Sequence, residues 1–360
     1  MPQFRLPRIE YGPKFTAAAD VGEIIDWGLE GSGIPDRWKN TQGEDFLVAI
    51  LDTGTPRHAD LPEPAFSHNF APRSSDPFDH HGHATHCAGI VGARANEKGI
   101  VGVAPKCRIG YCKVLGDDGS GDGRGIASGI HKAIDEGAHV ASMSIGGGYD
   151  RATDEAILDA VQAGIFVFCA AGNEGDIDGV NTIGYPARLA TTIAISSYNR
   201  DGQISRYSSR GPEVDFVFPG EDILSCWPNG TYRKLSGTSM SAPFAAGLAA
   251  LMLSAHKQAG AGVITPIRNN NDLREHWKRH AQDMGDAGHD RHWGWGIVKA
   301  GDLLDVIPDA PTPTPDGPII DSRYVQVYIP AAPYDIGINI APGLREKAVA
   351  LLGELSQGAA

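Results

Sequence analysis

The chain has no excess of positive charge: 31 Lys and Arg stand against 44 Asp and Glu over 360 residues, a formal charge of −13. That balance excludes nucleic acid and anionic membranes as main partners, since both are bound through clustered cations. No apolar run approaches the roughly 20 residues that a helix needs to cross a bilayer, so no membrane span is expected. A basic start followed by an apolar stretch, the pattern of a secretion leader, is also missing. The expectation is a cytoplasmic protein, or a secreted one if a leader has been trimmed. Cysteine is scarce. The five thiols, Cys87, Cys107, Cys112, Cys169 and Cys226, sit inside apolar runs. They read as buried thiols rather than a disulfide framework, with a Cys107–Cys112 pair left open.

Apolar residues make up 41% of the chain, enough for a substantial core, which excludes global disorder. Short runs at 46–51, 108–114, 140–144, 165–170, 192–196 and 216–218 are rich in Val, Ile and Ala without polar alternation. Such strands are buried on both faces, as in a parallel sheet covered by helices. Between them, 83–93, 125–136, 151–164 and 240–257 carry helical patterns. The expected fold class is α/β, a doubly wound, mostly parallel sheet with functional loops beyond the strand C-termini. Residues 1–25 carry three prolines and no clear period, and are expected as an arm. Residues 26–305 form the main folding unit, 306–318 a stiff Pro-rich linker and 319–360 a small C-terminal extension. The extension is too small for much of a core, so it is expected to dock on the main unit or to pair two copies as a homodimer.

Three segments carry candidate chemistry. In "FLVAILDTG", Asp52 ends a fully apolar strand, and a carboxylate there is costly to bury without a partner. A plain Asp-Thr-Gly turn accounts for it equally well. "DHHGHATHCAGIVGA" holds His80, His81, His83 and His86, which invites a metal site. No HExxH arrangement accompanies them, and Gly82 would let a helix N-terminus present His83 to a cleft. "SGTSMSAP" reads alone as helix capping, since Ser and Thr satisfy free N–H groups. Together the three supply an acid, a base and a nucleophile in Asp52, His83 and Ser239.

"AILDTG", "GHATHCAG", "AAGNEG" and "SGTSMSAP" resemble the four signature segments of the subtilisin-like serine proteases, whose chain order is also Asp, His, Ser. The resemblance runs from about residue 27 to 304 and includes "GIVGVAP", "CKVLGDDGSG", "SMSIGG" and "WGWGIVKAG". Ala84 and Phe244 stand where the family usually has glycine and histidine, and neither change removes a reacting group. The resemblance implies a serine endopeptidase acting on polypeptides, with Ser239 as nucleophile, His83 as general base, Asp52 orienting His83 and Asn173 facing the oxyanion. Gly119, Ser120 and Gly121 on one side, and Ser144, Ile145, Gly146 and Gly147 on the other, would pair with an extended substrate. Ser144–Gly147, Ala170, Ala171, Gly172 and Gly184 would line the first specificity pocket, expected to be roomy, uncharged and suited to large apolar or aromatic side chains. A structural calcium ion is implied at Asp60 and Asn96, with carbonyls of Arg94, Lys98 and Ile100. The short start resembles the intracellular branch, where a brief prosegment blocks the active site. "FRLPRIEYG" is the stretch that would do so here, with Pro7 spoiling the geometry of a cleavable bond.

Overall fold

Leu47–Asp52 is buried at all six positions, as a strand without polar alternation must be, and it lies inside a seven-stranded parallel sheet. The computed structural model describes residues 4–16, 22–259, 267–301 and 303, together with three short strands beyond them. In chain order the elements are β1 (Phe4–Arg5), β2 (Glu10–Thr16), α1 (Trp27–Gly31), β3 (Leu47–Asp52), β4 (Ser67–Asn69), α2 (His83–Gly92), β5 (Arg108–Lys113), β6 (Ser120–Gly121) and α3 (Gly123–Asp135). There follow β7 (Val140–Met143), β8 (Gly146–Gly147), α4 (Arg151–Gln162), β9 (Phe166–Ala170), β10 (Ile193–Tyr198), β11 (Phe216–Pro219), β12 (Ile223–Trp227), β13 (Thr231–Ser236), α5 (Thr238–Ala259) and α6 (Asn270–His280).

The main sheet runs β11-β10-β9-β7-β3-β5-β4, so the strand order reverses at β3, whose neighbours are β5 and β7. Open α/β sheets place their ligand crevice outside the strand C-termini at that reversal. Asp52 is the C-terminal residue of β3, which puts it at the crevice. Alternate residues feed two cores: Val48 and Ile50 join the cluster under α2 and α5, while Leu47, Ala49 and Leu51 join the one under α3 and α4. The Asp122 and Asp150 carboxylates accept from the N–H groups of Gly125 and Thr153 and so cap α3 and α4.

α5 corrects one expectation. It is long and apolar enough to cross a membrane by length and composition, but nearly all of that stretch is buried inside the fold. It is the central helix of a core. The five cysteines are all free and buried. Chain contacts divide the protein into two units, Met1–Pro308 and Asp309–Ala360. In the second, β14 (Ile320–Asp321), β15 (Tyr324–Val327) and β16 (Ile336–Ile338) form an antiparallel sheet. Residues 344–355 repeat apolar side chains at helical spacing and lie outside the described residues.

Candidate active site

Two sharp backbone turns aim the Asp and His side chains at each other. Gly54, two residues past Asp52, has φ 138°, and a Cβ there would meet the Phe78 carbonyl at 2.6 Å. Gly82 caps α2 at φ 101°, and its missing Cβ leaves room for the Trp227 ring, 2.8 Å from where that atom would be. α2 therefore starts on His83. His83 Nδ1 donates to both carboxylate oxygens of Asp52 at 2.8 Å, and both residues are buried. Burial opposes a charge on the imidazole, but the Asp52 carboxylate and then the Cys87 sulfur favour it. The balance holds the His83 pKa well above its ordinary value.

Ser239 sits in the first turn of α5 and is fully buried. Cys87, one turn beyond His83, links the two helices: its Sγ lies 3.9 Å from His83 Nδ1 and donates to the Ser239 carbonyl at 3.5 Å. Ser144 Oγ donates to the same carbonyl at 2.9 Å. The atoms that would exchange a proton, Ser239 Oγ and His83 Nε2, are both buried and have no hydrogen-bond partner among the described residues. Ser–His bonds of this type often close only around bound substrate. Asn173 is fixed by its oxygen, which accepts from the N–H and hydroxyl of Thr238 at 2.9 Å each. That leaves its Nδ2 aimed outward, where it donates to the Arg8 carbonyl at 2.8 Å.

The arm accounts for that carbonyl. β1 pairs antiparallel on both sides, Phe4 with Gly121 and Gly147, Arg5 with Ser120 and Gly146, and Leu6 N donates to the Gly119 carbonyl at 3.0 Å. Phe4 is buried in the α3–α4 core, and Pro7 packs over Gly146. Past Arg8 the chain continues into β2, which adds antiparallel to β13. A cleft of about 660 Å³ beside the arm is lined by Gly146–Gly148, Ala170, Ala171, Gly172, Glu174, Thr182 and Gly184. Glu174 overturns the expectation of an uncharged lining; its carboxylate accepts from Ser209 Oγ at 2.7 Å. Of the residues expected at the cleft, Ser144 and Ile145 turn their side chains into the interior, whereas the others line or pair along it.

Sequence reasoning missed Thr53 and Asp79. Asp79 accepts from Thr53 Oγ1, from the N–H groups of His81, Gly82 and Thr85, and from the Thr85 hydroxyl. Thr53 in turn takes the Ala84 N–H on its Oγ1. The Asp four residues before His83 is the available signal, an acidic group ahead of a helix start. The histidine-metal reading does not hold. His80 pairs with exposed Asp76, and His86 is buried on the Ile223 and Arg233 carbonyls, where burial holds its pKa down to about 3. Among the described residues, the single group of His, Cys, Asp and Glu close enough to share an ion is Asp52, His83 and Cys87.

The residues expected at a calcium ion converge on Asp60. Its carboxylate accepts from Asn96 Nδ2 at 2.8 Å, Ile100 N at 3.0 Å and the Tyr232 hydroxyl at 3.2 Å. Arg94 N donates to the Asp60 carbonyl and Lys98 N to Asn96 Oδ1. Glu23, which sequence reasoning passed over, accepts from Asn96 N at 2.7 Å.

The profile of the Subtilase family matches residues 43–296. An intracellular serine protease of Paenibacillus polymyxa is 42% identical over 236 residues, 63% of this chain and 72% of the relative. The major intracellular serine protease of Bacillus subtilis is 38% identical over 250 residues, covering 67% and 78%. The minor extracellular protease Epr of the same organism is 34% identical over 275 residues, 76% of this chain but 41% of the relative's length. The chain belongs to the subtilase family and is a subtilisin-like serine endopeptidase.

Proposed function

We propose that the protein cleaves polypeptides through an acyl-enzyme on Ser239. Ser239 Oγ attacks the scissile carbonyl while His83 Nε2 takes its proton and later delivers it to the leaving amine. Asp52 fixes the Nδ1–H tautomer and stabilises the imidazolium. Asn173 Nδ2 and the Ser239 N–H meet the developing oxyanion; loss of one such side-chain donor costs roughly 10²–10³ in kcat, a magnitude established on a subtilisin itself. The observation that carries the reading is the Arg8 carbonyl, held at 2.8 Å by Asn173 Nδ2 beside the buried Asp52–His83 pair. A carbonyl of the chain occupies the position a scissile carbonyl would take.

The arm is then a tethered blocker. Its pairing with Ser120–Gly121 and Gly146–Gly147 is that of an extended substrate added to two strand edges. Pro7 supplies no N–H to the pairing and stiffens the approach to the Arg8 carbonyl. The first pocket takes large apolar or aromatic side chains, supported by the small residues Gly146, Ala170, Ala171 and Gly184 along it and by the tie of Glu174 to Ser209.

Calcium is proposed at Asp60. The donors fit: two carboxylates, Asp60 and Glu23, the Asn96 amide and nearby carbonyls are hard oxygen ligands. The Asn96 amide would turn over to present its oxygen, since the O and N of an amide are exchanged by a simple flip.

Treatment with a fluorophosphonate probe, after displacement of the arm by mild heating, tests the central claim. Labelling is expected in the parent chain and absent in Ser239→Ala; label retained by the variant overturns the reading. The unlabelled parent chain, with the arm displaced in the same way and assayed on a peptide library, is expected to favour Phe and Leu over Arg and Lys before the cleaved bond. The opposite order removes the pocket assignment.

A further inference from the structure

Beyond the carbonyl held by Asn173, β2 keeps the arm on β13 for seven residues. Glu10 lies opposite Ser236 and Tyr11 opposite Leu235, so the chain following Arg8 leaves the site along the edge of β13. Tyr11 is the third residue after Arg8. Its ring meets Trp227 edge-on, with centroids 6.2 Å apart and planes at 83°. The Arg233 guanidinium stands 4.6 Å from the Tyr11 ring centre and 5.1 Å from that of Trp227. Arg233 Nε also donates to the Gly12 carbonyl at 3.3 Å. Trp227 is buried and braced from behind by His86, ring to ring at 6.4 Å. Its other side closes against Gly82. Neither brace of Trp227 belongs to the arm, so its ring keeps its place when the arm departs, while Arg233 gives up its bond to Gly12.

We propose that Trp227 and Arg233 form a subsite for an aromatic side chain three residues beyond the scissile bond, on the leaving-group side. Preferred substrates are then extended polypeptides with Tyr, Phe or Trp at that position. The inference rests on the reading that the arm lies in the cleft as a substrate does. Main-chain pairing with β13 is nearly indifferent to sequence, because every residue except proline offers the same N–H and C=O groups. Choice must come from side chains. An aromatic ring gains an edge-to-face contact with Trp227 and places its π face under a guanidinium, two interactions that an aliphatic residue cannot reproduce.

The test uses the full chain and a set of fluorogenic decapeptides, identical except for Ala, Leu, Tyr or Trp at the third position after the cleaved bond, with that bond fixed by mass spectrometry of the products. Occlusion by the arm lowers kcat/KM for every peptide by the same factor, so it cancels in the ratio of two peptides. The Tyr-to-Ala ratio is expected at about tenfold, falling to near one in Trp227→Ala and to an intermediate value in Arg233→Gln. Far-UV circular dichroism verifies each fold; should Trp227→Ala fail to fold, Arg233→Gln carries the test, since Arg233 is only half-buried. A parent ratio near one, or a ratio unchanged in folded variants, overturns the subsite while leaving the active-site reading intact. No cleavage of any peptide, together with no fluorophosphonate labelling, overturns the active-site reading and the subsite with it.

Discussion

His83 serves two opposing demands, and its surroundings set where each prevails. Burial penalises the imidazolium, but Asp52 at 2.8 Å and Cys87 favour it more strongly, so the pKa stands well above 6.5. A general base must be neutral, so kcat/KM is expected to fall as pH falls through that raised value, with its acid limb above 6.5. Stability moves the other way. A raised folded-state pKa contributes stability in full below the unfolded value of about 6.5, and that contribution is lost as pH rises through the folded one. In Asp52→Asn the countercharge is gone and the burial remains. The acid limb is therefore expected to move below 6.5, and kcat to drop by roughly 10⁴ through loss of the useful tautomer. Rate profiles of parent and variant across pH 5–10 read both effects; coincident acid limbs would contradict the assignment of Asp52 as the dominant partner.

At the scale of elements, what was legible in the sequence was what is buried on both sides. The six strands β3, β5, β7, β9, β10 and β11 are rich in apolar residues without a regular polar alternation and are buried at nearly every position, and their ends fall within two residues of the pattern. Elements that bury one side only, or pair by backbone alone, left little trace. α6 is polar along most of its length and buries Leu273 and Trp277 through a narrow stripe. β12 and β13 mix Ser, Thr, Arg and Lys among their apolar residues. β1 and β2 were seen as an arm and not as strands, since pairing to a strand edge asks for N–H and C=O groups that every sequence has. The candidate triad was legible as three segments, but Asp79 and Thr53, which brace them, were not, because their partners come from across a loop. The arm is held at two places, and β1 depends on one buried side chain, Phe4. Phe4→Asp would place a carboxylate in an apolar site at a cost of several kcal/mol unless the strand leaves. The initial rate on a peptide substrate is expected to rise at least tenfold, each 1.4 kcal/mol of weakened docking being a factor of ten in the open fraction. An unchanged rate would show that the arm does not limit access.

Over the main unit as a whole, the loop around Asp60 joins parts that are remote in sequence. Glu23 and Ile24 follow the arm; Ile24 N donates to the Gly99 carbonyl, and Glu23 holds Asn96 and Glu97. Asp60 ties Ile100 and Asn96, on the loop after α2, to Tyr232 on β13. One ion at this junction would clamp the exit of the arm, the helix that begins with His83 and the strand that leads to Ser239. An ion bound only by the folded state stabilises by RT ln(1 + [L]/Kd), about 2.7 kcal/mol at a hundredfold excess over Kd. For a domain of this size that corresponds to a rise in Tm of roughly 5–10 °C. Removal of calcium with EGTA is expected to lower Tm by that amount, and readdition of calcium, not magnesium, to restore it, since the smaller ion demands a stricter octahedron. Asp60→Asn halves the charge of the donor set, so its Tm is expected to be lower and to respond little to either treatment. A parent Tm identical in EGTA and in millimolar calcium would leave the Asp60 junction held by its hydrogen bonds alone: the carboxylate's three donors already satisfy it, and the clamp would then be protein from end to end.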